Sequence, residues 1–269
     1  MRKLLATALL IFGLGAGAAG AEEKVVVGGS GGLTEEMQEL AKAYMAKHPG
    51  DKIEVIAEAM STTGGLEGLK SGRLTIGLVT RAPKDEEKSL VLYRVVGRAI
   101  VGVGVNRALA VTGLSEAQLC DVFSGRIKSW KEAGGGEGKI TVLARKADDN
   151  NEQILRAKIA CLKDLKITPD AIMLVRGNEL MDGLERRPGT IGMVSGGSSL
   201  GQRPNVKLLA LGGAAPTAEA VQSGKYKFYI ERGIITLGAP QGATKRLLDF
   251  AATPEGQKIL SLHGMIPVL

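Results

Sequence analysis

The stretch KVVVGGSGGLTEEMQELAKAYMAK, residues 24–47, decides the fold of this 269-residue chain. Its apolar, β-branched beginning at residues 24–28 predicts a buried strand, and residues 34–47 predict a helix. Between them lies the glycine-rich run 28–32, in which Ser30 is the one hydroxyl residue. A glycine-rich loop that enters a helix presents unpaired N–H groups and a partial positive charge, so it can bind an anion.

The same order of strand, loop and helix recurs along the chain. Strands are predicted at residues 53–58, 75–79, 99–105, 140–144, 190–195 and 233–237. Helices are predicted at residues 65–71, 115–123, 152–165, 242–252 and 254–263. This alternation predicts an α/β fold with a mainly parallel sheet that is covered by helices on both faces.

The long alternating strand at residues 99–105 is of the kind that runs between two lobes. Beyond it the strand and helix pattern begins again, and the tail after residue 229 returns to the first pattern. We therefore expect lobe I to comprise residues 22–102 and 229–269 and lobe II to comprise residues 103–228.

The amino terminus reads as a secretory signal peptide at residues 1–21. Arg2 and Lys3 precede an apolar run at residues 4–14, and the small residues Ala19-Gly20-Ala21 form a cleavage site. The apolar run is too short to span a bilayer comfortably. The mature protein is expected in the periplasm or secreted; an uncleaved N-terminal anchor stays open as the alternative.

Composition points away from nucleic acid and towards an anionic ligand. Without residues 1–21 the chain has 33 Lys and Arg against 28 Asp and Glu, interspersed along helical stretches rather than collected in a stripe. Aromatic residues make up only 3% of the chain, so few side chains are available on which nucleic-acid bases could stack. A modest positive field favours the arrival of an anion.

The two cysteines, Cys120 and Cys161, lie in the same half of the chain. Export would place them where a disulfide can persist, so a bridge is predicted. Two buried free thiols remain the alternative, because the sequence does not show whether their Cα atoms approach within about 7 Å.

Further motifs carry a resemblance to a known family. They occur in order as VGVN (103–106), GLS (113–115), FSGRIKSW (123–130), PGTIGMVS (188–195), APT (215–217), SGKY (223–226), PEGQ (254–257) and GMIPV (264–268). The ordered set, which covers essentially the whole mature chain, resembles the periplasmic phosphate-binding proteins of ABC transporters. The resemblance implies a type II periplasmic binding protein fold, with two α/β lobes joined by a two-stranded hinge. It also implies inorganic phosphate or a similar oxyanion as ligand, ABC transporter membrane subunits as partners, no cofactor, and a monomer.

Three of the family's anion loops fall on the first lobe. The candidate ligand-binding residues there are Ser30, Gly31, Gly32, Ser61, Thr62, Thr63, Thr80 and Arg81. Hydroxyl and glycine residues at these places could also serve simply as helix caps. Thr80 stands where some members carry a carboxylate that accepts the proton of hydrogen phosphate, so the resemblance does not carry over discrimination against sulfate.

The fourth element departs from the family. Arg145 is kept, but Asp148-Asp149-Asn150-Asn151 stands where Gly-Ser-Gly-Thr usually begins a helix. A carboxylate about 4 Å from phosphate repels it by about 1 kcal/mol even in water-like surroundings. Asp149 and Glu152 also have capping-box spacing, so Asp149 can bind the amides that phosphate would use.

Two alternatives follow for this element, whose candidate residues are Arg145, Asp149, Asn150 and Asn151. In the first, Asp149 caps the helix or pairs with Arg145, and an oxyanion still binds to the first lobe and Arg145. In the second, the acidic helix start replaces the anion, and the site binds a cationic or neutral ligand, a protein partner or nothing.

An enzyme is not expected. The chain has only His48 and His263, without metal-ligand spacing, and Ser195 lies outside a Gly-x-Ser-x-Gly motif. The glycine-rich segments lack the Lys of a P-loop.

Overall fold

The computed structural model describes residues 23–146, 149–196, 200 and 203–268. The predicted signal peptide lies outside the described residues, as does Asp148. Within the described ranges, no helix is long and apolar enough to cross a membrane.

Strands and helices alternate along most of the described chain. The strands are β1 (Glu23–Gly29), β2 (Asp51–Val55), β3 (Ile76–Val79), β4 (Leu92–Asn106), β5 (Gly113–Leu114), β6 (Thr141–Ala144), β7 (Ile172–Met173), β8 (Thr190–Ser195), β9 (Val206–Leu208), β10 (Ala210–Leu211), β11 (Tyr229–Thr236) and β12 (Ile266–Pro267). The helices are α1 (Thr34–Lys47), α2 (Ser61–Lys70), α3 (Asp85–Lys88), α4 (Glu116–Ser124), α5 (Asn150–Lys158), α6 (Gly177–Arg186), α7 (Ala218–Gln222), α8 (Gly242–Ala252) and α9 (Pro254–Ser261).

The large sheet is mixed rather than mainly parallel, which corrects the sequence prediction. Its strand order is β2-β1-β3-β11-β4-β8-β6-β7. The strands β2, β1 and β3 are parallel to one another, and so are β8, β6 and β7. In the middle, β11 is antiparallel to both β3 and β4, and β4 is antiparallel to β8. Strand β11 returns the chain to its first half and forms two of these antiparallel pairs.

Strands β4 and β11 run side by side through the centre of this sheet. The first part of β4, from Leu92 to Ile100, pairs with β11, and residues Val101–Val105 pair with β8. The strand begins seven residues before its predicted start. The prediction missed this part because Arg94 and Arg98 interrupt the alternation of apolar residues that marks a strand. The two strands form the predicted hinge of a two-lobed type II periplasmic binding protein fold.

Buried side chains form two main clusters. One joins β1, α1, β3 and the carboxyl-terminal helices α8 and α9, and the other joins the second half of β4 with α4, β6, α5 and β8. Both ends of the chain therefore contribute to one core and the middle forms another. The lobe boundaries 22–102 with 229–269 and 103–228 stay a prediction.

Helix α2 begins at Ser61, four residues before its predicted start. The prediction placed the start too late because of Gly64 and Gly65, since glycine disfavours helices. In the fold, a Cβ at Gly65 would lie 3.1 Å from the carbonyl oxygen of Leu78 and 3.3 Å from Cα of Gly29. Glycine permits this close approach of helix and sheet. Residues 61–63 are therefore the first turn of the helix and not a loop before it.

Cys120 and Cys161 form a disulfide, with their Cα atoms 6.1 Å apart. This confirms the predicted bridge. Cys161 lies in a 3₁₀ turn, Ala160–Leu162, and not in a long helix, because α5 ends at Lys158 and the buried Ile159 is extended. The bridge ties α4 to the segment that follows α5.

Candidate functional site

The strand directions place two sets of loops face to face. Strand β3 ends at Val79, which lies opposite Gly233 of β11 and thereby level with Val95 of β4. Strand β8 runs the other way and ends at Ser195, opposite Val101. Six residues of β4 separate the two levels, which corresponds to about 20 Å along the strand. The loops that follow β1 and β3 therefore face those that follow β6 and β8 across a cleft.

Three hydroxyl residues meet on the first-lobe face of this cleft. The hydroxyl oxygens of Ser30 and Thr80 are 3.2 Å apart, and the backbone N–H of Thr80 donates to Oγ1 of Thr62 at 3.2 Å. Ser30 follows β1, Thr80 follows β3, and Thr62 lies in the first turn of α2. The fold thus brings together residues from all three predicted first-lobe loops.

Backbone donors surround these hydroxyls. The amides of Gly31 and Gly32 open a 3₁₀ turn that leads into α1, and those of Thr62 and Thr63 open α2. Among the described residues none of these four amides has a hydrogen-bond acceptor, as expected of groups at a helix start. Ser61 is exposed with a φ of 61°, and its hydroxyl accepts from the N–H of Gly64 at 3.3 Å. An oxyanion can satisfy the free amides.

Glycine is required where β1 turns into this loop. Gly29 has a φ of 135°, and a Cβ there would lie 2.4 Å from the carbonyl oxygen of Leu78. The N–H of Ser30 donates to the same oxygen at 2.8 Å, which fixes the Ser30 side chain beside Thr80. The glycine-rich sequence therefore has a defined structural role besides supplying donors.

Arg81 is engaged away from the hydroxyl cluster. Its Nη1 and Nη2 donate to the two carboxylate oxygens of Glu87, at 2.6 and 2.9 Å, and Nη1 also donates to the carbonyl of Ala82. Hydrogen bonds from Arg81 and then from the Lys84 backbone lower the pKa of Glu87 to about 2. The structure thus joins Arg81 to α3, and a contact between Arg81 and ligand stays only a prediction.

Sequence reasoning missed a buried ion pair beneath the hydroxyl cluster. Nη1 of Arg232 donates to Oε1 of Glu36 at 2.8 Å, with only 12% and 3% of the two side chains exposed. Burial lowers the pKa of Arg232, and the Glu36 carboxylate opposes that shift. One signal was available: Glu36 has helical spacing with the buried Leu40 of α1 and with the buried Leu33 just before it.

On the second-lobe face, Arg145 follows β6 and is bound on two sides. Its Nε donates to Oδ2 of Asp149 at 2.6 Å, and its Nη1 donates to the carbonyl of Val175 at 2.8 Å. Nη2 has no hydrogen-bond partner in the part of the chain that is described. Arg145 lines a cavity of about 70 Å³ together with Asn151, Ser195 and other residues near the ends of β6 and β8.

Asp149 caps α5 with its other carboxylate oxygen. Oδ1 accepts from the N–H groups of Asn151 and Glu152, at 3.0 and 3.5 Å. The capping box is only half formed, because Glu152 does not return a bond to Asp149. Its Oε1 accepts from the Arg145 N–H at 3.4 Å and its Oε2 from Nε of Arg156 at 3.2 Å. Asn150 is exposed at the start of the helix.

Burial raises the pKa of Glu152, which is 1% exposed. The hydrogen bond from Arg156 opposes that shift, as do the weaker influences of the Arg156 charge and the Arg145 amide. This buried carboxyl supports the Arg145 backbone from below. Asp149 therefore acts as both cap and ion-pair partner, which is the geometry of the first alternative drawn from the sequence.

The comparisons with known proteins agree with this architecture. Residues 15–255 match the family model of the PBP superfamily domain. The chain belongs to the PBP superfamily. Among its relatives in that superfamily is the phosphate-binding protein PstS of Bacillus subtilis (strain 168), which is 29% identical over 255 residues, 92% of this chain and 82% of that protein.

Solved structures show the same PBP fold. One from Clostridium perfringens, described as a phosphate ABC transporter substrate-binding protein with bound phosphate, has a TM-score of 0.72 at 22% identity, over 92% of this chain and 100% of that one. An ABC-type phosphate transport receptor from Vibrio cholerae has a TM-score of 0.70 at 22% identity, over 91% and 100%. At these identities the likeness shows the two-lobed fold.

Two further findings describe the chemistry that these loops offer. No group of three or more His, Cys, Asp or Glu side chains among the described residues could hold a metal ion. The guanidinium groups of Arg81, Arg145 and Arg232 are each paired with a carboxylate. The groups that an anion could contact in the cleft are therefore hydroxyls, amides and arginines whose charge is partly neutralised.

Proposed function

We propose that this PBP superfamily member is an exported solute-binding protein. It captures phosphate or a similar tetrahedral oxyanion between its lobes and delivers it to the membrane subunits of an ABC transporter, without catalysis. The observation that carries the proposal is the cluster of the Ser30, Thr62 and Thr80 side chains. Four amides without an acceptor among the described residues lie beside it, two after β1 and two at the start of α2. The phosphate-binding relatives support the same ligand class.

The geometry favours an oxyanion because the four open amides on the first-lobe face can only donate. Hydroxyl groups can donate to the ligand, and the helix starts add amides with a partial positive charge. Hydrogen bonds to a charged group contribute about 1.5 to 3 kcal/mol each. Several such bonds suffice for capture, and closure of the lobe that carries Arg145 would add its free Nη2.

Calorimetry on the mature protein, residues 22–269, tests this function. Phosphate, arsenate, sulfate and molybdate are titrated at fixed pH and ionic strength. We expect phosphate and arsenate, which share shape and charge, to bind with similar dissociation constants in the micromolar range or below. An absence of binding for all four anions at millimolar concentration would contradict the proposal.

A second candidate function rests on Asp149. Its carboxylate occupies the α5 amides and neutralises Arg145, so a degenerate module with an altered ligand or none, acting as a sensor or protein-interaction domain, fits this face of the cleft. The same titration separates the two functions. A module of this kind would show no oxyanion binding and would still associate with its membrane or secreted partner.

A further inference from the structure

Arg232 stands at the edge of the first-lobe site. Strand β11 runs antiparallel to β3 with Gly233 opposite Val79, so the register places Arg232 beside Thr80. A Cβ at Gly32 would lie 3.7 Å from Nε of Arg232 and 2.9 Å from the methyl group of Thr80. The guanidinium therefore borders the same small space as the Gly32 loop and Thr80.

Only one nitrogen of this guanidinium is engaged. Nη1 binds Glu36, whereas Nε and Nη2 have no partner among the described residues. The Arg232 side chain is 12% exposed, so part of it reaches accessible space.

The free edge has the shape of an oxyanion receptor. Nε and Nη2 lie on one side of the planar guanidinium and can donate in parallel to two oxygens of a carboxylate or phosphate. Arg81 and Arg145 offer less, because Glu87 binds both Nη atoms of Arg81 and Asp149 binds Nε of Arg145. Arg232 is thus the one of the three whose two-donor edge is open.

We propose that Arg232 is a ligand-binding residue of this chain: it contacts the bound oxyanion through Nε and Nη2, and Glu36 positions it by holding Nη1. This inference rests on the proposed function. It names a first-lobe cation with an open two-donor edge beside the hydroxyl and amide donors. It also assigns opposite effects to the two members of the ion pair, since Arg232 attracts the anion while the Glu36 carboxylate partly neutralises that attraction.

The test compares variants that leave the net charge unchanged. Glu36→Gln/Arg232→Gln removes the ion pair without stranding a buried charge, and we expect phosphate affinity to fall by about 30-fold or more, the equivalent of losing about 2 kcal/mol of charge-assisted contact. The matched control is Arg98→Gln/Glu231→Gln, which removes a neighbouring pair between β4 and β11. Adjacent residues of a strand point to opposite faces, so this control should stay within about two-fold of the parent.

Two single variants separate ligand contact from structural support. Glu36→Gln should tighten phosphate binding by about three-fold or more, because the Arg232 charge is no longer neutralised, whereas a purely structural pair predicts equal or weaker binding. Arg232→Lys keeps the charge but not the two-donor edge, so it should fall between the parent and the double variant. Circular dichroism melts identify folded variants, and Glu36→Gln decides the question if the double variant does not fold.

The outcomes are distinguishable from failure of the proposed function. A parent protein that binds none of phosphate, arsenate, sulfate or molybdate overturns both. A parent that binds phosphate, together with a folded Glu36→Gln/Arg232→Gln variant of equal affinity or a Glu36→Gln variant that does not bind more tightly, overturns the role of Arg232 alone.

Discussion

The two faces of the cleft differ in whether the amides at their helix starts have an acceptor within the protein. On the first-lobe face the amides around Gly31 and Thr62 remain open, because the residues beside them are glycines and hydroxyls. On the second-lobe face Asp149 binds the amides of α5 and the Nε of Arg145 with one carboxylate. An internal carboxylate can thus occupy the donors that an external anion would need.

The same difference separates two arginines. Arg232 is held at Nη1 and keeps both donors of its Nε and Nη2 edge open, whereas Asp149 binds Nε of that edge in Arg145 and leaves only Nη2. The presence of an arginine in a cleft therefore does not show that its donors are free to bind a ligand. The nitrogen that its carboxylate partner occupies decides what remains.

The strongest test of this contrast converts the second face into the first. Replacing Asp148-Asp149-Asn150-Asn151 with Gly-Ser-Gly-Thr removes two negative charges, frees the α5 amides and leaves the Arg145 edge open. Because each restored charge-assisted bond contributes about 1.5 to 3 kcal/mol, phosphate affinity measured by calorimetry should rise by about two orders of magnitude or more.

The control for that exchange is Asp170→Ser, which removes an acid that pairs with Lys128 at an exposed position. It should leave affinity unchanged. If the parent already binds phosphate in the micromolar range and the exchanged protein binds no better, Asp149 does not obstruct the ligand.

A smaller effect is expected when Arg145 is lost. Arg145→Ala removes the free Nη2 donor and leaves Asp149 without its cation, so phosphate should bind at least about ten-fold more weakly. Arg145→Ala/Asp149→Ala should recover part of that loss, since the uncompensated carboxylate is gone. Equilibrium dialysis of both variants beside Arg203→Ala, whose partner is Asp182, checks this order. Equal affinity of Arg145→Ala and parent would remove Arg145 from the site.

Single hydroxyl deletions on the first face should cost less again. Ser30→Ala and Thr80→Val each remove one donor among several, so we expect about five-fold weaker binding for each, in line with about 1 kcal/mol per hydrogen bond. Ser71→Ala, at the far end of α2, is the matched control. Parent-like affinity for both site variants would show that neither of these hydroxyls contacts the ligand.

The smallest effect concerns the ion pair of Arg81 and Glu87, in which the Glu87 carboxylate binds both Nη atoms of Arg81. The pKa of Glu87 is lowered to about 2 from its usual 4.5. A depressed carboxyl pKa stabilises the fold above about pH 4.5, and that contribution is lost as the pH falls towards 2. Glu87→Gln should therefore lower the free energy of unfolding in urea at pH 7, with a smaller difference at pH 3. A difference that grows on acidification would contradict the assignment.

Much of the fold could be predicted from local patterns. The helices at Thr34–Lys47 and Gly242–Ala252 and the strand at Thr190–Ser195 begin and end where the sequence places them. The start of α2 could not be predicted, because the propensity of Gly64 and Gly65 is overridden by their packing on the sheet. The first half of β4 was missed because its arginines interrupt the apolar alternation that marks a strand.

The sequence by itself indicated the α/β class, the family, the disulfide partners and the segments that carry hydroxyl and amide donors. The α/β class and the donor segments follow from spacing along the chain, which local geometry converts into strands, helix starts and caps. The family follows from the resemblance of its motifs, and the disulfide partners from the presence of only two cysteines in the chain. Only the tertiary structure decided which charges meet. Arg232 and Glu36 are 196 positions apart, and their pairing depends on the β11–β3 register and the packing of α1. Likewise, which oxygen of Asp149 faces Arg145 is set by the three-dimensional arrangement of β6 and α5 rather than by sequence spacing.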